Sequence, residues 1–207
     1  MLCGCLKLMN MRIIAAALLC LAALSAGGCT SEKPKPNPNP PPGSSGIIVK
    51  ITPSKVEFAA GEAVVLKVEL INGEAGECRV TKVTQGTLAV VSLTRDGNAV
   101  TPGISEGTYI DGTAAYLRQN LVPLAPGKSV SMELKSDQES AMDKRHVLET
   151  SAVDLLDAAA LTYWPVSTPG KYILLARYTP PQLPDPPGAL CRASGDPAQA
   201  EFTVKGV

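Results

Sequence analysis

From residue 47 onward, apolar and polar side chains alternate with a period close to two, the signature of strands that bury one face. Ile47, Val49 and Ile51 alternate with Ile48, Lys50 and Thr52, and Pro53 ends the run. Val64, Leu66, Val68 and Leu70 fall on one face of the next strand, which runs into Asn72-Gly73, a pair suited to a hairpin turn with positive φ. Residues 78–84 and 87–95 follow, the second closing at Asp96-Gly97. Further strands are predicted at 114–122, at 128–135 behind the Ala125-Pro126-Gly127 turn, at 171–178 and at 200–205. About eight strands separated by turn signals at short intervals predict an antiparallel sandwich rather than βαβ units.

One stretch, 136–165, breaks the rhythm. It gathers Asp137, Glu139, Asp143, Glu149, Asp154 and Asp157, and within it 151–161 is rich in alanine. Ser151 can cap a helix there, with Val153, Leu156 and Ala160 on one side, so a short helical insertion is predicted. Beyond it, Thr168-Pro169-Gly170-Lys171-Tyr172 leads from a turn straight into a strand. Tyr172 then has two readings: the corner tyrosine of an Ig-like sandwich, or one more inward residue alternating with Leu174, Ala176 and Tyr178. The expected fold is thus an all-β, Ig-like antiparallel β-sandwich with a short helical insertion, spanning 47–207.

What precedes that domain is of another kind. Residues 13–24 form an apolar run of 12, preceded by Arg12 and followed by Ser25-Ala26-Gly27-Gly28-Cys29. The run is too short to span a bilayer, which takes about 20 apolar residues, and has the length of a signal-peptide core. Met1, Met9 and Met11 all precede it, so a start at Met11 would place Cys3 and Cys5 outside the protein. Residues 29–46 carry prolines at 34, 36, 38, 40, 41 and 42 and no apolar side chain that could build a core. This composition favours polyproline II, a tether that at ~3.1 Å per residue reaches roughly 50 Å.

Composition narrows the chemistry. The 207 residues carry 19 basic and 19 acidic side chains, 18 Gly, 18 Pro and a single His. A balanced charge offers no basic face for nucleic acid. Loss of residues 1–28 removes Lys7 and Arg12 and no acid, leaving a net charge of −2. Any Ser-His-Asp or Cys-His catalysis would have to use His146, which sits among Asp143, Lys144 and Arg145 and is expected on the surface. HExxH, GxSxG, a P-loop and DxDxDG are all absent, so neither a metal nor a cofactor is expected. The acidic stretch reads as a solvated face rather than a glycosidase pair. With Cys3, Cys5 and Cys20 in or before the signal-like run, and Cys29 set aside for the lipidation that the resemblance of its surroundings to a lipobox implies, Cys78 and Cys191 remain, and in an oxidising compartment they predict one disulfide.

Ala26-Gly27-Gly28-Cys29 resembles the lipobox of bacterial lipoproteins, with Ala26 where leucine is commonest. That resemblance implies cleavage before Cys29, lipidation of its thiol, and a protein held in the bacterial cell envelope by its lipid. Thr30 is compatible with sorting to the outer membrane where the cell has two membranes. A second resemblance covers about half of the domain. Val64 to Asn72, Arg79 to Val83, Leu93 to Pro102, Asn120 to Leu134 and Thr168 to Tyr178 look like the non-catalytic N-terminal β-domain of deuterolysin-type and peptidyl-Lys metallopeptidases. Without HExxH, no peptidase activity is implied. The same strand grammar is similar to small Ig-like proteinase-inhibitor domains of bacteria.

The expected role is therefore a non-catalytic protein-binding or scaffolding lipoprotein, with an inhibitor or an accessory domain of a secreted metallopeptidase as the alternative. Its partner would be an envelope or secreted protein, and its loops would do the binding. The predicted contact residues are Tyr163 and Trp164, the one adjacent aromatic pair, together with Gln182, Leu183 and Asp185 in the proline-rich loop 179–187.

Overall fold

The computed structural model describes residues 46–109, 112–138, 145–153 and 158–206. The signal-like run, Cys29 and nearly all of the proline tether lie outside the described residues. In chain order the strands are β1 (Ile47–Pro53), β2 (Glu57–Phe58), β3 (Val65–Asn72), β4 (Cys78–Thr81), β5 (Leu88–Arg95), β6 (Asn98–Ala99) and β7 (Gly103–Tyr109). Helix α1 (Thr113–Gln119) follows, then β8 (Leu121–Leu124), β9 (Ser129–Gln138), β10 (His146–Val153), β11 (Ala158–Pro165), β12 (Gly170–Tyr178) and β13 (Ala198–Val204).

Period-two alternation builds two facing sheets. One has the order β1-β3-β9-β10-β11-β7, the other β2-β13-β12-β5-β6, and β4 and β8 form a separate pair. Every named pairing is antiparallel except the short β13–β2 contact. Leu66, Val68 and Leu70 from the first sheet and Tyr172, Leu174, Ala176 and Tyr178 from the second share one core. The Phe202 ring stacks on Tyr172 at 5.2 Å and meets Phe58 edge-on at 5.9 Å. A second, smaller cluster joins Leu117 and Leu121, at either end of the α1–β8 turn, to Leu183.

Both readings of Tyr172 hold together. Its ring is buried, and its hydroxyl donates to the Thr168 carbonyl at 2.7 Å, the bond that defines a tyrosine corner. Burial raises the pKa of that hydroxyl. Gly170 is required beside it: φ is 151°, and a Cβ there would stand 2.5 Å from an Asp96 carboxylate oxygen. That same side chain accepts the Lys171 backbone N–H at 2.8 Å. Asp96 and Gly97 themselves take φ values of 50° and 81°, the turn expected between β5 and β6.

Three expectations need correction. First, helix and strand are exchanged. The predicted helix 151–161 falls on β10 and β11, with 154–157 outside the described residues, while the predicted strand 114–122 contains α1. Alanine favours a helix in isolation, yet β11 is paired on both sides, by β10 and by β7, and tertiary pairing outweighs propensity. In α1, Ala114, Ala115, Leu117, Arg118 and Gln119 are good helix formers, and no strand pairing among the described residues includes them.

Second, Asn72-Gly73 makes no hairpin, because β3 pairs with β1 and β9 rather than with β4. The Asn72 side chain is buried instead. Its amide donates to the carbonyls of Gly76 and Leu124 at 2.9 and 2.8 Å, and its oxygen accepts the Glu74 N–H at 2.7 Å.

Third, His146 is buried, not exposed. Its Nε2 lies 3.0 Å from the Gly61 carbonyl, and its Nδ1 lies 3.3 Å from Ser136 Oγ. The carbonyl can only accept, so Nε2 carries the proton and the serine donates to Nδ1. Ser136 Oγ in turn accepts the Val64 N–H at 2.8 Å and is itself buried. This serine–histidine pair ties the loop before β3 to β9 and β10, and its burial closes it to a substrate.

Candidate functional site

The disulfide predicted between Cys78 and Cys191 is present, with Cα atoms 4.9 Å apart. It closes a separation of 113 residues and, on the chain-entropy account, stabilises by up to about 4–5 kcal/mol. Its neighbourhood explains the course of the proline-rich loop. Arg79 N–H donates to the Ala189 carbonyl at 2.8 Å and Cys191 N–H to the Arg79 carbonyl at 2.9 Å, so 189–191 lies along β4.

The loop 179–187 is tied down through one of its predicted contact residues. Leu183 is enclosed in the small cluster with Leu117 and Leu121, and Arg118 donates through Nη2 to the Pro184 carbonyl at 2.6 Å. Leu183 is thus a packing residue, which removes it as a partner contact. Gln182 and Asp185 stay exposed, Asp185 with φ of 48°.

The aromatic pair is divided as well. Strand geometry sends adjacent side chains to opposite faces, and in β11 Trp164 points into the main core while Tyr163 lies on the outer face. Trp164 cannot reach a partner, and its indole N–H has no hydrogen-bond partner among the described residues. Tyr163 is half-buried and stands opposite Glu149 across the β10–β11 ladder.

Around that outer face the structure forms an open cleft of about 390 Å³, lined by Gln85, Thr113, Tyr116, Glu149, Ser151 and Leu161. Tyr116 projects from α1 and is 45% exposed. Ser151 is held in place by the Gly86 N–H, which donates to its hydroxyl at 3.1 Å. Partial burial raises the Glu149 carboxyl above its ordinary pKa, and repulsion from Asp137 adds to the effect. Asp137 pairs with Val147 in the β9–β10 ladder, which puts it diagonally beside Glu149 on the same face.

Helix α1 thus has β10 and β11 on one side and the proline-rich loop on the other. Tyr116 escaped the sequence reading because 114–122 reads as a strand, in which it would have been one of several alternating residues. Among the described residues no cluster of His, Cys, Asp or Glu is arranged to hold a metal ion. No described helix is long and apolar enough to cross a membrane.

The sheets and their shared core define an all-β, mainly antiparallel sandwich. No protein-family model matches the chain, and no curated protein does. Among solved structures it is similar to the CARDB domain of a Pyrococcus furiosus protein, at 9% identity and a TM-score of 0.32, over 78% of this chain and 97% of that one. A likeness at that level leaves the fold to be read from the sheet order itself.

Proposed function

We propose that this chain is a bacterial envelope lipoprotein, held on the membrane by a lipid on Cys29, whose sandwich is a non-catalytic protein-recognition domain displayed on a proline-rich tether. The observation that carries the reading is the Cys78–Cys191 disulfide. Such a bond persists in extracytoplasmic compartments, where the signal-like run would deliver the chain. The accessible chemistry supports recognition rather than turnover. The one histidine is locked behind Ser136, and the open cleft pairs an exposed tyrosine with a carboxyl group.

Mass spectrometry of the membrane fraction tests the anchor. Cys29 is expected as the first residue, carrying acyl chains. An unmodified N terminus in the soluble fraction would overturn the assignment.

A further inference from the structure

The cleft between α1 and the outer face of β10 and β11 holds groups of complementary kinds. Exposed Glu149 contributes a carboxylate to its lining, and no basic side chain among the described residues is paired with it. Asp137 adds negative potential from the adjacent strand. Tyr116 contributes an exposed ring to the same lining, Gln85 an exposed amide and Leu161 apolar surface. A volume of about 390 Å³ accommodates one long side chain.

We infer that this cleft binds the side chain of a lysine or arginine presented by a protein partner. The inference rests on the recognition reading above and names the chemistry of the partner. A cation would sit between the Glu149 carboxylate and the Tyr116 ring, gaining a charge-assisted hydrogen bond at one and a cation–π contact at the other. Its methylene stem would lie along Leu161, and remaining N–H groups would reach the Gln85 oxygen. An anion is repelled by both carboxylates. An uncharged apolar group would desolvate Glu149 without a partner, a cost that a cation offsets.

The test is calorimetric titration of the full chain, in non-ionic detergent, with a short end-capped peptide bearing one lysine or arginine. The control is the same peptide with glutamine at that position. The basic peptide is expected to bind at least about tenfold tighter, a difference of about 1.4 kcal/mol. Glu149→Gln should abolish the difference, and Tyr116→Ala should weaken basic-peptide binding several-fold while circular dichroism stays unchanged.

Equal binding of the two peptides would overturn the inference, as would discrimination that survives in Glu149→Gln. An alkylamine binding as tightly as the peptide would assign the cleft to free amines and overturn the protein-partner claim. None of these outcomes depends on the mass of the N-terminal cysteine, so failure here and failure of the lipid anchor are read separately.

Discussion

The two ends of β12 make an instructive pair. Tyr172 and Tyr178 lie on the same face of one strand, each 1% exposed and each part of the main core. Tyr172 bonds the Thr168 carbonyl, whereas the Tyr178 hydroxyl has no partner among the described residues. Burial drives the pKa of Tyr178 strongly upward, with Glu74 reinforcing the shift, so that hydroxyl stays neutral. Alternation along a strand is sufficient to bury a ring. Whether its polar tip is satisfied depends on what another part of the chain brings to it. At Tyr172 the turn just upstream provides the carbonyl, four residues away in sequence.

Three substitutions sharpen this comparison, and denaturant unfolding measures each of them. Tyr172→Phe removes a made bond and leaves the Thr168 carbonyl unpaired, so stability should fall by about 1–1.5 kcal/mol. Tyr178→Phe removes a buried hydroxyl that has no bond to lose. A gain of about 0.5–1 kcal/mol is expected, and a loss as large as that of Tyr172→Phe would show that a partner exists after all.

Glu149→Gln tests the weaker, exposed case. Because the folded-state pKa is raised, the contribution of the protonated carboxyl to stability is fully present below the ordinary value of 4.5 and is lost as pH rises through the folded-state value. The variant should equal the parent at about pH 4 and exceed it by about 0.3 kcal/mol at about pH 7, the small size reflecting solvent screening.

Where the sequence could be read and where it could not follows from the range of the forces involved. Alternation located β1, β3, β5, β9, β12 and β13, since each strand carries its own apolar face wherever its neighbours lie. Cysteine arithmetic found the disulfide, because just two thiols remained to pair. The site was less legible. Two of the five predicted contacts, Trp164 and Leu183, are enclosed. The cleft depends on Tyr116, Glu149 and Gln85, which come from three separate segments.

By itself, then, the sequence determined the six alternating strands, the sandwich class, the cysteine pair and the proline-rich stretch ahead of the domain, all of which follow from local composition and period. Only the tertiary structure decided that the alanine-rich 158–160 joins a strand, that 113–119 coils into a helix, and that His146 is a buried clamp. The physical reason is that intrinsic propensities differ by well under about 1 kcal/mol per residue, while pairing on both edges and burial of a face together contribute more. Such gains come from residues distant in the chain, as Tyr109 and Thr108 of β7 are from their partners Ala158 and Ala159.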